Sequence, residues 1–168
     1  MSYQQHIKQS TEESARCAVI TLSDTRTRET DKSGKRIAEL LESSGHSVNE
    51  YRLIRDEAEE LRGLLEQFLA SDALDIILTN GGTGVSRRDR TIEVVQRLLD
   101  QPLPGFGEIF RALSFQEIGS GAILSRAIGG VARGKLLFAM PGSTHAVELA
   151  MSKLILPELK HLLHELRK

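Results

Sequence analysis

The sequence predicts an α/β fold: a mostly parallel central sheet with helices on both faces, three layers (α/β/α) in all, and a small hairpin excursion late in the chain. Three observations predict it. Short apolar segments recur at residues 16–23, 46–54, 74–79 and 135–140. Amphipathic helical patterns lie between them. Polar or glycine-bearing loops follow three of the apolar segments, at 23–31, 80–89 and 141–143. A chain of 168 residues corresponds to about one domain, so residues 1–14 read as a flexible polar lead and 15–168 as a single domain.

The segment RCAVITLS, 16–23, is β-rich and apolar and reads as a buried strand. Ile37, Leu40 and Leu41 then fall at helical spacing within 33–44, and Gly45 suits the position just past a helix end. Residues 46–54 form the second strand. Leu61, Leu64, Leu65, Phe68 and Leu69 make a full apolar stripe, which predicts a helix over 56–70 with Asp56 at its start. Residues 74–79 (LDIILT) form an apolar run, which predicts a third buried strand. After the loop at 80–89, Thr91 is placed to cap a helix buried through Ile92, Val95, Leu98 and Leu99. Residues 102–107 break the pattern, and 108–118 is helical. The glycine-rich stretch 119–134 reads as turns with a small hairpin. KLLFAM, 135–140, is the fourth buried strand, and a helix from about His145 is expected to kink or restart at Pro157.

Composition excludes several functions. Hydrophobic residues make up 40% and charged residues 27%, with a net charge of −1, so no whole-molecule field draws nucleic acid or an anionic membrane. No run approaches the roughly 20 apolar residues of a membrane span. The first residues hold no apolar leader segment, and the expected location is the cytoplasm. The single cysteine, Cys17, lies in an apolar strand and reads as a packed thiol. The Gly129 to Lys135 spacing imitates the start of a Walker A motif, but Leu136 and a strand follow, so the required context fails. His161 and His164 share a helix face without metal-ligand spacing and read as solvated. His145, beside the 141–142 turn, reads as a surface residue.

In open parallel sheets, ligands bind beyond the carboxyl ends of the strands. The loops at 23–31, 80–89 and 141–143 meet that description. The segment TNGGTGVSRRDRT, 79–91, links a strand to a helix. Gly81, Gly82 and Gly84 permit close backbone approach and positive φ, and their N–H groups suit an anion cradle reinforced by the next helix. Arg87, Arg88 and Arg90 add fork-shaped donors for phosphate. The competing reading is a tight turn with a solvated charge cluster. Asp89 among the arginines suits a Mg²⁺ ion shared with bound phosphates. Alternatively it pairs with an arginine or caps the helix. Asp56 on its residue pattern alone reads as a helix cap or first-turn acid.

The 79–91 segment, with PGFGE at 104–108, LSRA at 124–127 and MPGST at 140–144, resembles the MoaB/Mog family of molybdenum cofactor biosynthesis. The resemblance runs from about Arg16 to Leu159. SDTR at 23–26, LSF-x-EIG at 113–119 and PGST at 141–144 bring it closest to the MoaB branch. It implies a three-layer α/β molybdopterin-binding domain that assembles as a homo-trimer or hexamer and works with other cofactor-assembly proteins. It implies adenylyl transfer from Mg-ATP to the phosphate of molybdopterin, with molybdopterin as substrate and Mg²⁺ as cofactor. Asp56 and Asp89 match the family's catalytic acids. Gly81, Gly82, Thr83 and Gly84 would cradle phosphate, Arg88 would offset charge and Asp89 would hold Mg²⁺. Ser23 and Asp24 would approach from the first strand. Gly107, Glu108 and Ser125 would line the pterin or nucleotide side, with Pro141, Gly142 and Ser143 beside them. The Mog branch often carries Pro-Gly-x-Pro where this chain has Pro141-Gly142-Ser143-Thr144. Three functions stay open: an adenylyltransferase, a molybdopterin-binding carrier, and a CinA-like nucleotide pyrophosphate hydrolase. The last is disfavoured because no amidase-like domain accompanies the sequence.

Overall fold

A computed structural model describes residues 13–168. Most of the 1–14 lead therefore lies outside the described residues. The chain forms one six-stranded sheet. Its strands are β1 (Arg16–Leu22), β2 (Ser47–Ile54), β3 (Ile76–Asn80), β4 (Gln101–Pro102), β5 (Ile128–Ala132) and β6 (Lys135–Met140). The spatial order is β2-β1-β3-β6-β5-β4. The first four in that order run parallel; at the far edge β5 pairs antiparallel with β6, and β4 pairs antiparallel with β5.

The helices are α1 (Lys32–Ser43), α2 (Ala58–Leu69), α3 (Thr91–Leu98), α4 (Pro104–Ile118), α5 (Thr144–Ala150) and α6 (Leu156–Leu166). Pleating explains why the central strands read as continuous apolar runs. Cys17 and Val19 of β1, Ile76 and Leu78 of β3, and Leu136, Phe138 and Met140 of β6 face α1, α4 and the C-terminal helices. Ala18, Ile20, Ile77, Leu137 and Ala139 face α2 and α3 on the other side. Both faces are covered, so no polar alternation survives. The α/β/α expectation holds.

Four local expectations change. Helix α4 begins at Pro104 rather than 108, because proline is favoured in a first turn, where its missing N–H costs nothing. Thr91 does not cap α3. Arg90 holds the cap position, and the Thr91 hydroxyl donates instead to Gly81 O at 3.0 Å. The glycine-rich stretch opens with a 3-10 helix, Gly119–Leu124. The hairpin after it belongs to the main sheet, with β5 and β6 joined through Arg133 and Gly134, both at positive φ (48° and 74°) as a two-residue primed turn requires. The Gly129-to-Lys135 spacing is therefore a β-hairpin, not a phosphate loop. Ahead of Pro157 the chain makes one π-helical turn, Met151–Ile155, where the Leu156 N–H reaches back to Met151 O. The helix restarts there, as expected of a proline without an N–H.

Cys17 is fully buried, and that burial, followed by the nearby Asp75 charge, pushes its thiol up to about 12. It is an inert packing group. His46 precedes β2 rather than joining it and is buried, with Nδ1 accepting from the Ala15 N–H at 3.0 Å. Burial, and then the Lys160 charge, hold His46 below its ordinary value of 6.5. The unfolded chain thus takes the proton more readily. The stability this residue contributes is complete above about pH 6.5 and declines as pH falls below it. The melting temperature should accordingly drop between about pH 7.5 and 5.5, and drop less in His46→Asn, which keeps an acceptor for Ala15 without titrating. Equal drops in both proteins would remove His46 as the source.

Candidate functional site

The parallel order places the ends of β1, β3 and β6 side by side, so the three loops expected to converge do so. Asn80, fully buried at the end of β3, fixes the start of the glycine loop. Its Nδ2 donates to Thr21 Oγ1 at 2.9 Å and Ile20 O at 3.3 Å, and its Oδ1 accepts from Ser33 Oγ at 2.7 Å. Gly81 (φ +100°) and Gly82 (φ +65°) then turn the chain through a region that side chains disfavour. The Gly81 N–H is committed to Met140 O at 3.1 Å. That removes it from the cradle and leaves the N–H groups of Gly82, Thr83 and Gly84.

Both acids flank this loop. A Cβ on Gly82 would lie 2.6 Å from Asp56 Oδ1, and one on Gly84 would lie 2.7 Å from Asp89 Oδ2. The capping roles left open for these residues are not what the structure forms. Helix α2 starts at Ala58 with Glu57 at the cap and no side-chain cap bond. Asp89 Oδ2 accepts from the Ser86 N–H at 2.9 Å. Among the described residues it pairs with no arginine. Burial, then the charges of Asp89 and Asp24, push the Asp56 carboxyl up, against the pull of Arg88. A folded-state value raised in this way means that ionised Asp56 works against folding at neutral pH. Asp56→Asn should therefore melt no lower than the wild type near pH 7; a loss of about 1 kcal/mol would restore the capping reading.

Arg88 organises the acids more than it reaches into the cradle. Its guanidinium sits 2.9 Å from Asp24 Oδ2 and 2.8 Å from Glu57 Oε1, with Asp56 O at 3.4 Å. Asp24 in turn accepts the Asp56 N–H at 3.2 Å. Ser23 shapes its own loop, its hydroxyl accepting the N–H groups of Thr25 at 3.3 Å and Arg26 at 3.1 Å. Ser143 caps α5, accepting the Ala146 N–H at 3.1 Å.

Two arginines absent from the expected set tie the loops together. Arg126 donates to Thr83 O at 2.9 Å, Gly84 O at 2.7 Å and Asp89 O at 3.1 Å, and pairs with Glu93 at 2.8 Å. Arg26 donates to Gly142 O at 2.9 Å and Ser33 Oγ at 2.6 Å, and lies 3.6 Å from buried Asp31. Tyr51 donates to Asp31 from the neighbouring strand, and burial first, then Asp31, push its hydroxyl well up.

The remaining expected residues divide between two cavities. Ser125, Pro141 and Ser143 line one of about 280 Å³ with Ser114, Glu117 and His145. Gly107 and Glu108 line another of about 240 Å³ with Arg111 and Ala127. Asp56 and Asp89 border neither. His145 is exposed and sits 2.5 Å from Glu117 through Nε2. His161 is not simply solvated, since it meets Glu158 at 3.2 Å.

Asp56 and Asp89 would offer the one or two carboxylates that Mg²⁺ takes when substrate phosphates complete its shell. No group of three or more potential metal ligands gathers among the described residues. The donor set therefore suits a cation brought in with phosphate, not a permanently caged one.

A family model described as a probable molybdopterin binding domain matches residues 18–161. The molybdenum cofactor biosynthesis protein B of Halalkalibacterium halodurans is 53% identical over 169 aligned positions, covering 100% of this chain and 99% of that protein. A crystal structure of a molybdenum cofactor biosynthesis protein B is similar at 51% identity and a TM-score of 0.90, covering 92% of this chain and 97% of that one. The tungsten cofactor synthesizing protein MoaB from Pyrococcus furiosus is 36% identical with a TM-score of 0.83, covering 93% and 99%.

Proposed function

The chain belongs to the molybdopterin-binding domain family of molybdenum cofactor biosynthesis, and from that premise we propose that it binds molybdopterin and Mg-ATP and adenylylates the molybdopterin phosphate. The observation that carries the reading is the pair of carboxylates, Asp56 against Gly82 and Asp89 against Gly84, at the carboxyl ends of parallel strands. Burial, then the charges of Asp89 and Asp24, push the Asp56 carboxyl up, so a cation beside it would be favoured.

The transfer is a displacement. A terminal phosphate oxygen of molybdopterin bonds to the α-phosphorus of ATP, the α–β bridging bond breaks, and pyrophosphate leaves with that bridging oxygen. The attacking phosphate is already anionic, so no side chain has to remove a proton. Protein groups contribute position and charge neutralisation. The N–H groups of Gly82, Thr83 and Gly84 hold phosphoryl oxygens. Asp56 and Asp89 would hold Mg²⁺, whose chemistry there is to offset the charge developing on the phosphates. Arg88, once a phosphate competes with Asp24 and Glu57 for it, adds a further positive donor.

A second reading, a molybdopterin-binding carrier with little turnover, draws support from the engagement of Arg88 by Asp24 and Glu57. The experiment is direct. Purified protein should release pyrophosphate from Mg-ATP only when molybdopterin is added. Binding without release would leave the carrier; AMP release from a dinucleotide without pterin would indicate the hydrolase. We also propose a homo-oligomer, trimer or hexamer, working in the cytoplasm. Exposed Phe115 on α4 and Ile123 on the 3-10 turn are apolar surface that a second copy would cover.

A further inference from the structure

We propose that the cavity beside the Pro141–Ser143 turn takes the 2-amino-4-oxopyrimidine edge of a pterin, with Glu117 as the acceptor that recognises it. The inference deepens the adenylyl-transfer reading and rests on it for the identity of the pterin substrate.

The cavity, about 280 Å³, lies just below the range of about 300–1,000 Å³ typical of pockets for drug-sized ligands. It suits a bicyclic head group better than a whole nucleotide. Its walls are apolar where Ile118, Leu124 and Leu149 line it, and hydroxyl-bearing where Ser114, Ser125 and Ser143 do. Its lining contains a single carboxylate, that of Glu117, and no lysine or arginine. Such a lining rejects a phosphate. It also rejects the Watson–Crick edge of adenine, which alternates a donor with an acceptor, because an ionised carboxylate only accepts. A pterin presents two adjacent donors instead, its 2-amino group and N3–H, spaced for a carboxylate as a guanidinium is.

The position fits the phosphate end as well. Pro141 and Ser143 line the cavity, while Gly142 between them packs on the glycine loop, a Cβ there lying 3.1 Å from Gly81 Cα. One ligand can therefore place its head beyond the turn and its phosphate at Gly82–Gly84. His145 holds Glu117 through one carboxylate oxygen, Oε2, at 2.5 Å. A carboxylate has about four lone-pair sites, so this contact orients Glu117 and leaves acceptor capacity for the ligand.

The test is a fluorescence titration of the assembled protein with three probes: pterin, lumazine, in which oxygen replaces the 2-amino group, and guanosine, which carries the same donor edge on a purine. Wild type should prefer pterin to lumazine by about 10- to 100-fold in Kd, the scale of a hydrogen bond to a charged group. Glu117→Gln and Glu117→Ala should bring the two within about threefold, with melting temperature and Mg-ATP affinity held. Equal wild-type affinities, a preference surviving in both variants, or no pterin binding at millimolar concentration overturns the proposal. Guanosine bound more tightly than pterin overturns the pterin assignment in favour of a purine. The readout needs no turnover. A wild type that does not discriminate pterin from lumazine yet releases pyrophosphate sinks this inference alone, and selective pterin binding without release sinks the transferase reading alone.

Discussion

Asp89→Asn is expected to lower molybdopterin-dependent pyrophosphate release by about 10²–10³-fold, the loss seen when one preorganised electrostatic group is removed from a charge-stabilising site. The asparagine keeps the shape and an acceptor for the Ser86 N–H, so the turn at 2.9 Å survives. What disappears is one negative charge from the pair that would hold the cation. The Mg²⁺ concentration needed for half-maximal rate should rise together with the loss in kcat. The melting temperature should not fall, since Asp89 makes no ion pair among the described residues and its charge opposes that of Asp56. Release at half the wild-type rate or more would remove Asp89 from the mechanism. Combining it with Asp56→Asn should cost less than the product of the two single losses, because groups acting as a unit are not additive.

Arg126→Met is expected to be the most damaging single change outside the acids. The methionine retains much of the aliphatic stem and loses every donor. Three loop carbonyls, those of Thr83, Gly84 and Asp89, lose a charged partner at once. Glu93 loses its ion pair as well, and its other oxygen, Oε2, already finds no partner among the described residues. The arginine side chain is 28% exposed, so water recovers part of the loss. A drop of about 2–3 kcal/mol is the expected scale for hydrogen bonds to a charged group so placed. The effect on function should be larger than on folding, with KM for both substrates rising at least about tenfold as the cradle loosens. Chemical denaturation and steady-state kinetics on the same preparation check both parts. There is also a pH signature. Arg126 first, and the helix backbone with it, hold the Glu93 carboxyl below its ordinary 4.5 against the pull of burial. That stabilisation is present above about pH 4.5 and is lost as pH falls through the lower folded value, so the variant should lose less stability on acidification than the wild type. Unchanged kinetics in Arg126→Met would mean the loop holds its shape without it.

Much of this molecule could be read in its sequence, for identifiable reasons. The sheet strands were legible because both faces are covered, so Ile76, Ile77 and Leu78 are all buried and the run stands out. The amphipathic stripe of α2 was equally plain. The convergence of three loops followed from strand polarity alone. What stayed hidden depends on contacts distant in sequence. Thr91 has the residue type of a cap, yet its hydroxyl serves Gly81 ten residues earlier. Arg126 looks like one surface arginine among many until the fold sets it 42 residues back against Gly84. Glu117 falls within the LSF-x-EIG stretch, yet nothing there gives it a role until the Pro141–Ser143 turn gives it a cavity. The residue pattern alone gives Asp56 a capping place for the same reason: a helix follows it, and the loop it lies against comes from a different strand.

The backbone contact between Gly142 and Gly81 has a dynamic consequence. Two loops that meet main chain to main chain, with Gly81 N–H bound to Met140 O and Gly142 O held by Arg26, have no side chain between them to absorb displacement. Neither can swing outward alone. They share one opening free energy and fluctuate as a single hinge-less body. A ligand that settles on one loop thereby stiffens the other before the second substrate arrives, so part of the ordering cost of the second binding event is met by the first.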